Sequence, residues 1–298
     1  MKPIAVTVVV SSKDRLHMLM NLLSSLSKCT KPVNVAISMI VIDNASQVPY
    51  PADCLSSVHK HIPSRLVRHD LPGRSRALNQ VISEIETDYI IFLDDDVIVP
   101  PDLVVDYVNA FQRGTSGMLA GKVMLCDELR TKLSITGINS LAHFMPTTTT
   151  VGSVIGANFA CTTQVFKAIG GLDIALGPGA LLSLGDDTLF GYEYVRRFGA
   201  IPVCGTSPVV HYPDRERTTL ESQIKFVEMS SLAEAYIHRK LGQQSPKISL
   251  VELLKVMCTF FVVTILRFAV PVAPQLVESY LATYRKLRLK LSLLAFSK

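Results

Sequence analysis

The stretch DYIIFLDDDVIVPP, residues 88–101, decides how this 298-residue chain folds. Tyr89 to Leu93 is an apolar, β-prone run of strand length, and it leads directly into Asp94, Asp95 and Asp96. Three adjacent carboxylates repel one another, and a divalent cation relieves that cost. Hard cations such as Mn2+ and Mg2+ take carboxylate oxygens and bridge to phosphates. In an extended segment Asp94 and Asp96 point one way and Asp95 the other. That alternation makes Asp94 and Asp96 the natural pair for a metal and a nucleotide. A solvated acidic turn is the plain alternative, and the apolar strand running straight into the triplet disfavours it.

Outward from the triplet the chain alternates. Ile4 to Val10 reads as a buried strand, Leu16 to Leu26 as a helix, Val35 to Ile42 as a strand ending on Asp43, and Ser64 to His69 as a third strand. Arg74 to Ile85 reads as a helix opened by Pro72-Gly73, and a further helix runs from Pro100-Pro101 to about Phe111. This rhythm predicts a doubly wound, mostly parallel α/β sheet, which binds ligands beyond the carboxyl ends of its strands. Asp43 and the triplet both stand at such ends. Beyond residue 115 the expected elements are strands at Met118 to Leu125 and Val154 to Cys161, and helices at Thr163 to Ile169, Asp187 to Phe198 and Thr219 to Leu241.

The composition, 48% hydrophobic and 18% charged, excludes a disordered chain. The net charge of +5 is unevenly placed. Pro246 to Lys298 holds eight Lys/Arg and two acids, while the rest holds 22 basic and 23 acidic residues. A basic, apolar tail on a near-neutral body suits an anionic membrane surface and not nucleic acid. Ile248 to Val270 carries Glu252, Lys255 and Arg267, and its uncharged part, Val256 to Leu266, is too short to span a bilayer. Gln275 to Phe296 combines Leu287, Leu291 and Leu294 with four basic residues, the makeup of a helix lying on a membrane. A core helix or an oligomer contact is the alternative. The six cysteines form no C-x-x-C pair, and no secretory signal precedes the first strand. These features place the chain in the cytoplasm, peripheral on the inner face of the membrane.

Four segments in order, VTVVVSSKDR (6–15), MIVIDNAS (39–46), GRSRALNQVISEIETDYIIFLDDDVIVPPDLV (73–104) and GANFACTTQVFKAIGGLD (156–173) followed by GDDTLFGYEYVRRFG (185–199), resemble a family-two glycosyltransferase. The resemblance implies a GT-A fold with a C-terminal helical extension: residues 1–215 as catalytic domain (1–115 the nucleotide-sugar half, 116–215 the acceptor half), 216–245 as long helix and linker, and 246–298 as tail. It implies an inverting transfer from a nucleoside diphosphate sugar to a glycan or lipid-linked acceptor, assisted by Mn2+ or Mg2+. A UDP-sugar is the first expectation for the donor, with dTDP- and GDP-sugars as alternatives, and a homo-oligomer is allowed for.

The resemblance also assigns residues. Asp43 matches the carboxylate that meets the nucleotide base, with Ser11, Ser12 and Arg15 beside it. Arg76 and Asn79 lie on the helix lining the nucleotide pocket. Asp94 and Asp95 join the nucleotide-sugar set, Asp96 is the metal ligand, and His211 matches a histidine that reaches the metal or diphosphate in some relatives. Asp187 matches the general base. Asp186, which takes the place of a usual Glu, falls on the acceptor side with Gly156 and Asn158. On its residues alone, Asp187 reads first as a helix N-cap. Arg74 and Arg76 read either as a basic helix face or as phosphate contacts. Rival readings are a haloacid dehalogenase-type phosphatase, a metal-dependent nucleotidyltransferase, and an inactive sugar-nucleotide binder. The phosphatase would need its nucleophilic Asp at the end of the first strand, where serines stand, and the nucleotidyltransferase an early glycine-rich loop, which is absent.

Overall fold

The computed structural model describes residues 4–114, 116–131, 133, 141–243, 251, 254–255, 257–258, 261–262, 264–265 and 274–295. The chain divides into two units by its internal packing. One comprises Met1–Met124, Phe144–Leu181 and Asp186–Tyr212, the other Leu125–His143, Leu182–Gly185 and Pro213–Lys298.

In the first unit the strands are β1 (Ile4–Ser12), β2 (Val35–Asn44), β3 (Ser64–His69), β4 (Tyr89–Asp94), β5 (Val97–Ile98), β6 (Met118–Leu125), β7 (Thr150–Val151), β8 (Asn158–Thr162) and β9 (Ile201–His211). Its helices are α1 (Leu16–Leu26), the single turn α2 (Ser56–His59), α3 (Arg74–Ser83) and α4 (Leu103–Arg113). After α5 (Asp127–Arg130), which belongs to the second unit, come α6 (Thr163–Ile169) and α7 (Asp186–Phe198). The strands form one sheet in the order β3-β2-β1-β4-β8-β6-β9-β5, with β7 paired to β9. The β3-β2-β1-β4 half is parallel, and β8 turns the sheet antiparallel.

Both faces of β1, β4 and the carboxyl half of β2 are buried, as their continuous apolar runs demand, while the edge strand β3 stays partly exposed. Val6, Val8, Val10, Ile91 and Leu93 face the core packed by α1 and α4. Their neighbours Val9, Ile90 and Phe92 face the core packed by α3, α6 and α7. Phe92 and Phe159 stack across β4 and β8 with ring centroids 4.3 Å apart. Thr162 caps α6 by accepting from Val165 N, and Gly170 closes it in the left-handed region at φ 96°.

Besides the short additions α2, α5, β5 and β7, the structure departs from the expected elements at three longer stretches. The helix after the triplet begins at Leu103 rather than at the prolines, with Asp102 outside helical geometry at φ −95° and ψ 9°. The strand expected from Val154 starts only at Asn158, since Asn158 N donates to Ile155 O in a turn through Gly156. The long strand β9 is an addition. Pro202, Gly205 and Pro208 interrupt its sequence pattern and disguise it as a loop.

In the second unit α8 (Leu220–Lys240) packs on α9 (Pro274–Ala295) through Val227, Tyr280 and Leu281. Tyr284 Oη donates to Glu228, and Arg285 pairs with Glu234 at 3.6 Å. The apolar segment expected at Ile248 to Val270 lies largely outside the described residues. Among the described residues no helix is long and apolar enough to cross a membrane.

Candidate active site

Strand register brings the acids together. Ser11 of β1 stands opposite Asp94 in one ladder, and Ser12 stands opposite Asp43 in the other. The carboxyl ends of β2, β1 and β4 are therefore level. β4 stops at Asp94, and Asp95 and Asp96 form a turn before β5. The extended alternation expected across the triplet ends there. The turn separates Asp94 from Asp95 and Asp96, and buries the latter two.

A single guanidinium holds that turn. Arg15 places Nη2 2.7 Å from Asp95 Oδ1 and Nη1 2.9 Å from Asp96 Oδ2. Ser12 Oγ donates to Asp95 Oδ2 at 2.6 Å. Burial pushes the Asp95 carboxyl up to about 7; Arg15 opposes that rise and Asp96 adds to it. On the other side of the turn, the last residue of β9 reaches in, with His211 Nε2 3.2 Å from Asp96 Oδ1. Tyr212 N donates to Asp96 O, fixing that end of β9 to the turn. Two ligands of one octahedral ion stand about 3 Å apart when adjacent, so the carboxylate and imidazole fit a shared hard cation. Among the described residues no cluster of three His, Cys, Asp or Glu forms a complete metal cage.

Asp43 is buried at the end of β2. Its Oδ1 accepts from Ser46 N at 3.0 Å, and its Oδ2 accepts from Tyr50 N at 3.1 Å and Arg68 Nη1 at 2.7 Å. Burial works to raise its pKa, but these donors outweigh it and hold the carboxyl below its ordinary value. Tyr50 ties this end to the triplet, because its hydroxyl also bonds Ser12 Oγ at 2.7 Å and Arg15 N at 3.0 Å. Sequence reasoning missed Tyr50 and Arg68.

Arg74, at the start of α3, is buried among the acids. Its Nη1 donates to Asp186 Oδ2 at 2.7 Å, and its Nη2 donates to Asp94 Oδ1 and Gly156 O, both at 3.3 Å. Burial pulls the guanidinium down, but Asp186, Asp94 and Asp187 outweigh it and keep it firmly charged. Asp187, in the first turn of α7, accepts from Gly156 N at 2.5 Å through Oδ2 and from Thr188 N at 2.7 Å through Oδ1. Burial and the neighbouring Asp186 push its carboxyl up to about 6 against the pull of Arg74. Gly156 leaves room for a close approach: a Cβ there would stand 3.1 Å from Arg74 Nη2 and 3.2 Å from Asp187 Oδ2 and would press both side chains back.

The remaining expected residues divide. Arg76 is exposed on α3, and Arg74 is the arginine that reaches the acids. Asn79 spends its amide on the Leu172 backbone, accepting from N at 2.8 Å and donating to O at 2.7 Å. Asn158 is buried, accepting from Tyr107 Oη at 2.8 Å and donating to Lys122 O at 3.0 Å.

A twisted α/β sheet with acids gathered beyond the ends of β1, β2 and β4, completed by a histidine from an antiparallel strand, has the GT-A fold of glycosyltransferases. Residues 7–169 match the model of glycosyl transferase family 2, more than half of the chain, and the chain belongs to that family. Among curated proteins none matches. Among solved structures, the mannosyltransferase PcManGT from Pyrobaculum calidifontis, in complex with GDP-Man and Mn2+, is similar at TM-score 0.58 and 16% identity, covering 98% of this chain and 85% of that one. S. aureus TarS 1-349 in complex with UDP-GlcNAc is similar at TM-score 0.53 and 14% identity, covering 96% and 90%. Glucosyl-3-phosphoglycerate synthase from Mycobacterium tuberculosis, in complex with Mn2+, UDP-glucose and phosphoglyceric acid, is similar at TM-score 0.52 and 16% identity, covering 83% of each chain.

Proposed function

We propose that this glycosyltransferase transfers a hexosyl unit, with inversion, from a nucleoside diphosphate sugar to a hydroxyl of a glycan or lipid-linked acceptor at the cytoplasmic face of a membrane. The observation that carries the reading is the reach of Arg74. One buried guanidinium joins the donor-side acid Asp94 to the Asp186–Asp187 pair. The nucleotide end and the base end are thus one cluster.

In this reading Asp43, with Arg68 against it, meets the base, and Ser11, Ser12 and Arg15 line the nucleotide. Asp94 to Asp96 form the D-x-D motif. Asp96 and His211 would hold Mn2+ or Mg2+. When bound, the ion neutralises charge developing on the leaving diphosphate. Asp187 takes the proton of the acceptor hydroxyl as its oxygen bonds to the anomeric carbon and the bond to the diphosphate breaks. With no enzyme nucleophile in the path, the single displacement inverts the anomeric centre. A carboxyl poised near pH 6 suits a base at neutral pH. We take the donor to be a UDP-sugar, the kind carried by TarS and the phosphoglycerate synthase. The mannosyltransferase, bound to GDP-Man, keeps GDP-sugars in the panel.

The test is a thermal-shift panel of UDP-, dTDP-, GDP- and CMP-sugars with and without Mn2+, followed by transfer assays with the sugar that binds. One base should raise the melting temperature, and only with metal. Asp96→Ala should remove that metal-dependent shift. Asp187→Asn should keep it and lose about 10²–10⁴-fold in turnover. Wild-type transfer by both variants would sink the reading.

A further inference from the structure

We propose that Tyr50 is a positioning residue whose hydroxyl holds the Asp95–Asp96 turn ready for a metal-bound nucleoside diphosphate. The proposal rests on the reading of Asp96 and His211 as the metal pair, and it names the side chain that fixes their surroundings from the base end of the site.

Tyr50 stands between Pro49 and Pro51 in the loop after β2. Pro51 disfavours helical backbone at Tyr50 and is itself extended, at φ −67° and ψ 144°. This loop is clipped to the loop after β1. Gln47 N donates to Asp14 Oδ1 at 2.7 Å, and Asp14 N donates to Ser46 Oγ at 2.9 Å. Asp14 and Ala45 both occupy the left-handed region, at φ 56° and 60°. Non-glycine backbone persists there only where its surroundings enforce it.

Tyr50 is 7% exposed and bonded at both ends. Its backbone N donates to Asp43 Oδ2 at 3.1 Å. Its hydroxyl lies 2.7 Å from Ser12 Oγ and 3.0 Å from Arg15 N. Counting protons orients the chain. Ser12 has one hydroxyl proton and gives it to Asp95 Oδ2 at 2.6 Å, so Tyr50 donates to Ser12 and accepts from Arg15 N. The Arg15 guanidinium then closes a ring by reaching Asp95 and Asp96. Linked bonds of this kind in a buried setting reinforce one another. Without the Tyr50 hydroxyl, Ser12 and the Arg15 main chain each lose an anchor, and the fork on the turn loosens. Asp96 Oδ1 is then no longer held beside His211 Nε2, and ordering it becomes a cost of binding metal. Asp43 is bonded by the Tyr50 backbone, so removing the hydroxyl spares the base end.

Calorimetric titration of the full chain with UDP, GDP and dTDP, each in Mn2+ and in EDTA, tests this split. For a nucleotide that wild type binds more tightly with Mn2+, Tyr50→Phe should stay within about twofold of wild type in EDTA and lose about fivefold or more in Mn2+, the worth of a net hydrogen bond. Phe keeps the buried ring, and a cooperative melt without ligand checks the fold. Ser12→Ala breaks the next link and carries the same test: it should lose the same metal-dependent gain, and the double variant should bind no more weakly than the weaker single variant. Equal losses with and without Mn2+, or no loss, would make Tyr50 a structural residue only and overturn the proposal. Losses that add in the double variant would also overturn it, because the two hydroxyls would then act separately. If no diphosphate binds wild type more tightly with Mn2+, the metal reading itself fails and the proposal falls with it.

Discussion

At the residue scale the site depends on two arginines, each shared between acids. Arg15 spans Asp95 and Asp96, and Arg74 spans Asp94 and Asp186. Arg74→Ala would leave Asp186 buried without its cation and should cost about 3–5 kcal/mol in a urea melt. Arg74→Lys keeps the charge but cannot bridge Asp186, Asp94 and the Gly156 carbonyl at once. It should fold, lose about tenfold or more in kcat/KM, and move the acidic limb of the pH profile upward from about 6, because Arg74 restrains the rise of Asp187. An unmoved limb would show that Arg74 acts on structure alone. Asp187 carries a second, thermodynamic signature. Its folded value of about 6 lies above the unfolded carboxyl value of about 3.9, so its favourable contribution is complete below pH 4 and is lost as pH rises through 6. Asp187→Asn should therefore match wild-type stability at pH 4 and exceed it at pH 8, by on the order of 1 kcal/mol or ~3 °C of melting temperature. Equal melting curves at pH 8 would contradict the buried charge.

At the element scale two glycines, one in the turn before β8 and one on β6, carry close approaches. An added Cβ at Gly156 would press on Arg74 and Asp187. Gly156→Ala should lower turnover about tenfold with nucleotide affinity held, if the displaced Asp187 is the base we propose. Measured KM and kcat would separate the two. Gly121, on β6, lies against the Asn158 amide and the Tyr107 hydroxyl, which an added Cβ would overlap. Gly121→Ala should destabilise the protein by about 1–3 kcal/mol through overpacking, read as a lower denaturation midpoint. β1, β2 and β4 were legible because near-continuous apolar runs of strand length have few other outcomes. β9 was not, because its prolines and glycine look like a loop until the neighbouring strand is present to pair with it.

For the whole molecule, charge placement sets an expectation apart from catalysis. If the basic tail contacts anionic lipid, co-sedimentation with phosphatidylglycerol vesicles should fall steadily as salt shortens the screening length from about 10 Å at 0.1 M to 3 Å at 1 M. Binding indifferent to salt would rule out the basic residues as its source. The family, most of the sheet's parallel half and the acids at its strand ends were readable from order and pattern: Asp43 and the triplet each stand at the end of a visible apolar run, and Asp187 follows a glycine at a helix start. That order is local, and it constrains the backbone directly. The partners of those acids were hidden. Arg68 meets Asp43 only because β2 and β3 pair in one register, and His211 meets Asp96 only because β9 returns antiparallel to β5. Burial likewise divided Arg74 from Arg76, two residues apart and chemically identical in sequence. Sequence by itself determined the family and the strand ends at which the acids stand. Only the tertiary structure decided which cation balances which acid, because ion pairing and desolvation depend on distances between segments distant along the chain.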